Sequence, residues 1–326
     1  MDGKGAAAGE GGWFVRTEKL CKRYDPSGPN AVDSLDIAIH EGEIFGILGP
    51  NGAGKTTTLA MLSGLMRPDS GSVRFGEGID QDRIREVIGY VPQELALYNR
   101  LTGRENLEFF GRLYGVTGSR LRGRIDELLD LVGLSDRADE PIQRYSTGMM
   151  RRLNLAAGLI HEPKLLLLDE PTVGIDPQSR NRIFESILGL RDAGVTILYT
   201  THYMEEVSRL CDRISIMDRG RVILEGEPAQ LVRRYGHFRM EFKADDCPAS
   251  FAGAIESLEP VISAFVSGRV LAVITGTDHG RMELIEEIGR MSREAGVTLS
   301  LRRILEPDLE GLFLDITGRS LKDGVS

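Results

Sequence analysis

The chain has 326 residues, of which 41% are hydrophobic and 27% charged, an ordinary composition for a globular protein of about two domains. Its formal net charge of −9 disfavours nucleic acid or anionic lipid as the main partner. No apolar stretch approaches the roughly 18–20 residues that cross a bilayer. The three cysteines are widely spaced, which argues against a metal cluster or a disulfide framework and is typical of a reducing cytoplasm. We therefore expect an intracellular protein with no nucleic-acid partner.

Residues 1–12 lack an apolar secretory core, so we interpret them as a flexible tail rather than a signal peptide. Beyond them, apolar strand patterns alternate with helical ones as far as residue 235. The predicted strands are Trp13–Leu20, Val32–Ile39, Glu43–Leu48, Ser72–Phe75, Leu165–Leu168, Val195–Tyr199, Ile214–Met217 and Val222–Leu224. The predicted helical stretches are Thr56–Met66, 102–133, Met149–Ile160, 183–190 and Met204–Cys211. This alternation predicts an α/β fold, a sheet wrapped in helices, with a helical subdomain over about residues 94–162.

The pattern changes near residue 236, which we take as a domain boundary between 13–235 and an accessory domain, 236–326. The elements predicted there are a strand at Phe238–Phe242, a helix at Ala249–Leu258, strands at Val261–Phe265 and Val270–Ile274, a helix at Met282–Ala295, a strand at Val297–Leu301 and a helix at Asp308–Thr317. The β-α-β-β-α-β order is that of a small ferredoxin-like α+β module. Its sequence has no Gly-rich loop and no His/Cys cluster, so we assign no chemistry to it.

The stretch from Phe45 to Thr58, FGILGPNGAGKTTT, fits the phosphate-binding pattern G-x-x-x-x-G-K-[ST]. A glycine-rich turn lets backbone N–H groups point at phosphate oxygens, and the following helix adds the positive end of its dipole. Lys55 adds a point charge, and Thr56 can offer its hydroxyl to Mg²⁺. A chance Gly-rich turn is the alternative, but the strand before the loop, the loop itself and the helix after it all favour a phosphate-binding loop. The predicted phosphate-binding residues are Gly49, Pro50, Asn51, Gly52, Ala53, Gly54, Lys55, Thr56 and Thr57.

Two acidic residues follow the all-leucine strand Leu165–Leu168. At the carboxyl end of a strand, where ligands bind in such sheets, Asp169 is placed to hold Mg²⁺. Glu170, one residue further, is the candidate general base or water-orienting group. A solvated turn is the common alternative for Asp-Glu after a strand, but the P-loop upstream favours the catalytic interpretation.

Three more residues gain meaning only as a set. Gln93 carries an acceptor and a donor that suit Mg²⁺ or its attacking water. His202, just after the strand Val195–Tyr199, could hydrogen-bond the γ-phosphate, and Tyr24 could stack on adenine. Taken singly, Gln93 would more often be an idle loop amide and His202 a structural residue, and Tyr24 alone is a weak indication of base stacking.

As a set, these residues resemble the nucleotide-binding subunit of ABC transporters over about 14–229. In order, Tyr24 matches the adenine-stacking aromatic, Gly49–Thr56 the Walker A motif, Gln93 the Q-loop, Tyr145–Met149 the signature, Leu165–Glu170 Walker B, Val173–Asp176 the D-loop and His202 the switch histidine. The resemblance implies an ABC-type P-loop ATPase that binds ATP and Mg²⁺.

The signature departs from the family pattern L-S-G-G-Q, because Tyr145, Thr147 and Met149 replace three of its residues. Ser146 and Gly148, the pair that in the family reaches the γ-phosphate from a second subunit, are both present. The resemblance therefore implies a head-to-tail homodimer with two shared ATP sites.

The variant Y-S-x-G-M is similar to the branch of drug-resistance and nodulation-factor exporters. This resemblance implies an energy-coupling ATPase, peripheral to the cytoplasmic face of the membrane and bound to a separate transmembrane permease. Residues Glu94–Tyr98, just past the Q-loop, are the expected docking surface. An importer ATPase with a regulatory C-terminal domain, or a non-transport ABC protein, stays open as an alternative.

Overall fold

In the computed structural model, residues 12–76, 79, 83–276 and 281–317 are described. The predicted tail therefore lies outside the described residues, apart from Gly12. The chain divides into two compact units, one ending at Glu227 and the other beginning at Pro228. Among the described residues, no helix combines the length and the apolar content that a membrane-spanning segment needs.

The first unit contains strands in two sheets and helices around them. Its strands are β1 (Trp13–Lys22), β2 (Val32–Leu35), β3 (Ala38–His40), β4 (Ile44–Leu48), β5 (Ser70–Phe75), β6 (Ile88–Val91), β7 (Leu165–Asp169), β8 (Thr196–Thr201), β9 (Arg213–Asp218) and β10 (Arg221–Gly226). Its helices are α1 (Lys55–Leu62), α2 (Ile84–Val87), α3 (Gly103–Leu113), α4 (Gly118–Leu131), α5 (Thr147–Gly158), α6 (Pro177–Asp192) and α7 (Met204–Leu210).

The larger sheet has the strand order β10-β9-β4-β8-β7-β6. Strands β9, β4, β8, β7 and β6 are parallel, and β10 runs antiparallel to β9. Every residue of β4 and β7 is buried, as expected for strands of a parallel sheet that is covered on both faces. Strands β4, β8 and β7 lie side by side and run parallel, so their carboxyl ends meet at one edge of the sheet. The P-loop, Asp169–Glu170 and His202 lie at these three ends.

The smaller sheet is antiparallel, with β1 pairing to β2, β3 and β5. We predicted one strand over Val32–Ile39, and this was wrong, because the structure breaks it into β2 and β3. The Thr17 hydroxyl occupies the break, donating to the Leu35 carbonyl (2.9 Å) and accepting from the Ile37 N–H (3.0 Å). A side chain thus replaces a ladder hydrogen bond, and the alternating pattern continues across the interruption.

The second unit contains α8 (Pro228–Tyr235), β11 (Phe238–Asp245), α9 (Ala249–Glu256), β12 (Val261–Ser267), β13 (Val270–Thr275), α10 (Arg281–Ala295), β14 (Thr298–Leu305) and α11 (Leu309–Thr317). Its sheet is antiparallel, in the order β12-β13-β11-β14. Residues of alternating strand positions and of α9 and α10 form its core, including Met240, Phe242, Phe251, Leu271, Val273 and Ile288. The unit therefore has a hydrophobic core of its own.

Candidate functional site

The loop between β4 and α1 is shaped by its glycines. Gly54 has φ +103°, a left-handed conformation that glycine adopts without strain. A Cβ atom at Gly49 would clash with the Met217 carbonyl, and one at Gly54 would clash with the Ala31 carbonyl. The two glycines at the ends of the motif are therefore required by close backbone packing as well as by the turn.

A cavity of about 390 Å³ opens over this loop. It is lined by Tyr24, Ala31, Asn51, Gly52, Ala53, Gly54, Lys55, Thr56, Thr57, Gln93 and Glu170. The cavity lining thus comes from the segment that follows β1, the P-loop, the segment after β6 and the residue that follows β7. Gly49 and Pro50 contribute carbonyl groups to the Lys55 side chain rather than to the cavity lining.

The Lys55 ammonium is folded back on its own loop. It donates to the carbonyls of Gly49 (2.8 Å) and Pro50 (3.1 Å), and lies 2.9 Å from Glu170 Oε1. Its side chain is buried, as is that of Glu170. A buried cation requires such a partner, because removing a charge from water without compensation is costly.

Glu170 is held from three sides. Its backbone takes φ +46°, and its N–H donates to the Thr200 hydroxyl (3.1 Å). His202 Nδ1 lies 3.1 Å from Oε2, opposite the Lys55 contact. Burial by itself would raise the pKa of Glu170, but the hydrogen bond with His202 and the charge of Lys55 outweigh it and lower the pKa to about 2. The carboxylate is therefore ionised.

The two carboxylate oxygens of Asp169 differ in their hydrogen-bond geometry. Oδ1 accepts from the Thr200 hydroxyl at 2.8 Å. Oδ2 is buried and has no hydrogen-bond partner among the described residues. Burial raises the pKa of Asp169, and burial together with the Asp169 charge raises the pKa of Tyr90 to about 12. An unpaired buried carboxylate oxygen beside a phosphate-binding loop suits a bound cation.

Tyr24 stands at the outer rim of the cavity. The residue is 63% exposed, while its hydroxyl lies 3.1 Å from Thr57 Oγ1. The ring is therefore fixed at its hydroxyl end while the residue as a whole is largely exposed, which suits stacking on a planar base.

The segment from Gln93 to Tyr98 is tied to helices α3 and α5. Asn154 bonds the Ala96 N–H (3.2 Å) and the Pro92 carbonyl (3.3 Å), and Arg151 donates to the Gln93 carbonyl. Asn106 holds the Tyr98 N–H at 2.8 Å. The helical elements thus set the position of the segment that presents Gln93 to the cavity.

Comparison with known proteins identifies the family of this chain. The family model described as "ABC transporter" matches residues 32–173. The linearmycin resistance ATP-binding protein LnrL of Bacillus subtilis is 42% identical over 95% of this chain and 100% of its own length. The chain belongs to the ATP-binding proteins of ABC transporters. The recognition made from the motifs is therefore confirmed, and the protein is an ABC-type ATPase.

Other relatives are similar in sequence to this chain over nearly its whole length. The daunorubicin/doxorubicin resistance ATP-binding protein DrrA of Streptomyces peucetius is 39% identical over 95% of this chain and 94% of its own. The Nod factor export ATP-binding protein I of Ralstonia nicotianae is 40% identical over 95% of both chains.

Solved structures of ABC cassettes match the fold. The MJ0796 cassette, in a dimeric post-hydrolysis state bound to ADP and Pi, has a TM-score of 0.59 and 27% identity over 66% of this chain and 98% of its own. CbiO1 of Clostridium perfringens, part of the ABC transporter complex cbiONQ, has a TM-score of 0.60 and 30% identity over 68% of this chain and 94% of its own. The predicted ABC-type P-loop fold is confirmed.

Ser146 and Gly148, the two signature residues predicted to reach a nucleotide, do not line the cavity of their own chain in this ABC ATPase. Ser146 caps α5, accepting from the Met149 N–H at 3.2 Å, and a Cβ atom on Gly148 would clash with the Ser179 side chain. The structure therefore gives them a local packing role in one chain. Their role toward the nucleotide of a second chain stays a prediction.

Sequence reasoning missed three residues around the ABC site. Thr200 bonds both Asp169 and the Glu170 backbone, and Arg151 donates to the Gln93 carbonyl. Glu206 is buried and accepts from Thr201, the residue before His202. The paired threonines at the end of β8 were a signal for Thr200, because polar residues that close a buried strand need a partner. Arg151 gave no signal, since its partner lies 58 positions away.

Proposed function

We propose that this protein is the ATP-hydrolysing subunit of an ABC exporter, which dimerises around ATP and drives a separate transmembrane permease. One observation carries the catalytic part: Glu170 lies between Lys55 (2.9 Å) and His202 (3.1 Å) at the phosphate-binding cavity. Relatives named for drug resistance or Nod factor export, at about 40% identity over 95% of the chain, favour export over import or a non-transport role.

The P-loop residues Gly49–Thr57 hold the triphosphate in this proposal. Backbone N–H groups of the loop and the start of α1 bind phosphate oxygens, since these are the unpaired donors of a helix N-terminus. Lys55 leaves its loop carbonyls for the outer phosphates, and Tyr24 stacks on the adenine through its exposed face.

Thr56, Gln93 and Asp169 would hold Mg²⁺. The fit is supported by the buried Asp169 Oδ2, which lacks a hydrogen-bond partner among the described residues, and by three oxygen donors, the ligands that this ion prefers. The bound ion would supply neutralisation of phosphate charge.

Glu170, His202 and Gln93 form the catalytic group. Glu170 accepts a proton from the attacking water, and its position at the end of β7 places it beside the cavity. Its contact with Lys55 must first open, because phosphates compete for the ammonium. His202 then stabilises charge at the γ-phosphate, and the Gln93 side chain orients the water.

The second copy of the chain completes each site. Ser146 and the N-terminus of α5 would bring a hydroxyl, backbone N–H groups and a dipole end to the γ-phosphate of the partner. Gly148 lets that backbone approach closely. The dimeric MJ0796 cassette supports this assembly.

The permease docks near Glu94–Tyr98. Support comes from a cluster of three aromatic rings, one from Tyr98 within this segment and two from Phe109 and Phe110 on α3. The ring centroids are 4.6 Å apart for Tyr98 and Phe109 and 5.4 Å apart for Phe109 and Phe110. Tyr98 and Phe109 are 49% and 40% exposed, which suits burial under an apolar helix face. The protein would then be peripheral to the cytoplasmic face of the membrane.

The division into an ATP-binding domain, 13–235, and an accessory domain, 236–326, belongs to the same proposal. The antiparallel sheet order β12-β13-β11-β14 and the alternation of strands with α9 and α10 support a ferredoxin-like fold for the accessory domain. We assign it to dimerisation or to permease docking rather than to nucleotide binding.

The test is copurification of the full chain from membranes, followed by phosphate release with ATP and Mg²⁺. The proposal expects a membrane protein to copurify and phosphate release to require both additions. A chain that releases no phosphate, alone or with its membrane companion, contradicts the proposed ATPase role. An active chain that captures no membrane protein contradicts the transport role.

A further inference from the structure

Glu206, on α7, is a buried carboxylate that the proposed catalytic steps do not use. Only 1% of the residue is exposed. Its Oε1 accepts from the Thr172 hydroxyl (2.6 Å), and its Oε2 accepts from the hydroxyls of Tyr199 (2.8 Å) and Thr201 (2.7 Å). Three hydroxyl groups donate to this one carboxylate, so the cluster satisfies its buried oxygens with hydrogen bonds.

Two of these hydroxyls belong to the segments that carry the catalytic pair. Thr172 follows Glu170 by two residues, inside the turn closed by the Val173 N–H and the Glu170 carbonyl (3.3 Å). Thr201 directly precedes His202, and its hydroxyl also accepts the N–H of Tyr203 at 3.0 Å. Glu206 therefore bonds the residue two positions after Glu170 and the residue directly before His202.

A third segment reaches the same carboxylate. Arg180, in the first turn of α6, has its Nε 3.7 Å from Glu206 Oε1, and its guanidinium lies 5.5 Å from the centre of the Tyr203 ring. The Arg180 N–H donates to the carbonyl of Asp176, the cap of α6 (3.0 Å). The predicted D-loop is thereby connected to the strand ends that carry Glu170 and His202.

We infer that Glu206 is a positioning residue. It holds Glu170 and His202 at hydrogen-bond distance from each other for hydrolysis, without touching the nucleotide. This inference rests on the proposed catalytic role of Glu170. Its physical basis is that one buried carboxylate bonds the two segments that carry Glu170 and His202. The side chains of Glu170 and His202 must meet at hydrogen-bond distance. Small misplacements of such a pair cost up to about 10²-fold in rate.

The test is Glu206→Gln in the full chain, because an amide offers one acceptor oxygen and must turn its NH₂ toward a hydroxyl that now donates. We expect kcat to fall about 10–10²-fold, while KM for ATP and ATP affinity stay near the wild-type values. Glu205→Gln is the matched control, since Glu205 neighbours Glu206 on the same helix and is exposed; it should leave kcat unchanged.

A double-mutant cycle separates positioning from general damage. In the Glu170→Gln background, Glu206→Gln should change the residual rate by less than about twofold, because the residue through which it acts is already altered. An equal loss in both backgrounds indicates damage elsewhere and overturns the inference, as does wild-type kcat in Glu206→Gln alone.

Two milder variants decide the matter if Glu206→Gln does not fold. Thr172→Val and Thr201→Val each remove one hydroxyl at nearly constant volume, and each should lower kcat with little change in KM. Wild-type kcat in both overturns the inference. If Glu170→Gln itself keeps full activity, the proposed function fails instead, so the two failures are distinguishable.

Discussion

Glu170 and Glu241 are both buried carboxylates paired with cations, one in each unit of the molecule. Glu170 contacts Lys55 and His202 at the edge of a cavity. Glu241, on β11, accepts two hydrogen bonds from Arg303 (2.8 and 3.1 Å) and lies 3.2 Å from Arg239 Nε.

The surroundings of the two carboxylates differ. The Arg303 side chain is 54% exposed, so water solvates it whether or not Glu241 is present. Lys55 is buried with Glu170, and in the proposed function the phosphates of ATP compete for the same ammonium. The carboxylate pKa is lowered at both sites, so it does not distinguish them. Glu170 also lines a cavity, and in the proposed function its pair with Lys55 exchanges partners, whereas the Glu241–Arg303 pair is structural.

The largest expected effect tests the exchangeable pair. Glu170→Gln should slow ATP turnover by about 10²–10⁴-fold and trap an ATP-bound dimer, because the amide cannot accept the proton of water. Turnover is measured by phosphate release and the dimer by size-exclusion chromatography with ATP. A monomeric, fully active variant rules out the assigned role.

Ser146→Arg probes the half of the site that a second copy supplies. A bulky cation there should block closure of the dimer and lower turnover by about 10²-fold, the cost of losing donors to a reacting oxyanion. ATP binding by the single chain should persist, since Ser146 does not line its cavity. ATP-driven dimerisation that survives the change contradicts the shared site.

Lys55→Ala removes the cation of the exchangeable pair. Loss of a charged hydrogen bond to phosphate, about 1.5–3 kcal/mol, should weaken ATP binding about 10–10²-fold or beyond, as measured by titration calorimetry. The variant also leaves Glu170 with His202 as its remaining partner in the pair. Unchanged nucleotide affinity would falsify the assignment of the P-loop lysine.

Glu241→Gln should give the smallest effect, on stability alone. The charged hydrogen bonds to Arg303 are lost, but Arg303 is half exposed, so we expect destabilisation of about 1 kcal/mol with no change in ATPase rate. Glu287→Gln is the control, since the exposed Glu287–Arg290 pair on α10 should contribute nothing measurable. Denaturant titration measures both, and altered ATP turnover in Glu241→Gln would break the comparison.

The same variant gives a pH dependence. Hydrogen bonds from Arg303 hold the pKa of Glu241 below its ordinary value, so the stabilisation is present above the unfolded-state pKa of about 4.3. It is lost as pH falls through the folded-state pKa. The stability difference between wild type and Glu241→Gln should therefore be full at neutral pH and disappear in acid, and a difference that grows on acidification contradicts the pairing.

The sequence predicted the strand–loop–helix order of the P-loop correctly, because β4 is a short apolar run and the glycines around Lys55 have one structural use. It predicted one strand over Val32–Ile39 where two exist, since periodicity does not register a side chain such as Thr17 that replaces a ladder bond. Helix α5 begins at Thr147 rather than Met149, because Ser146 caps it.

For the site, motif spacing predicted Lys55, Asp169 and Glu170, because the roles proposed for them depend on positions beside a loop and a strand. It did not find Arg151 or Glu206. Their partners lie far along the chain or on a neighbouring strand, so only the packing of α5 and α7 against the sheet brings them into contact.

The sequence by itself determined that this chain binds a nucleotide and belongs among ABC ATPases, because local motifs encode a phosphate cradle that works through backbone geometry. Only the tertiary structure decided that Lys55 rests on Glu170 and that Glu206 joins the segments bearing Glu170 and His202. Lys55 and Glu170 lie far apart in the chain, and Glu206 lies 34 positions from Thr172. Their distances depend on how α1, β7, β8 and α7 pack, which no local pattern specifies.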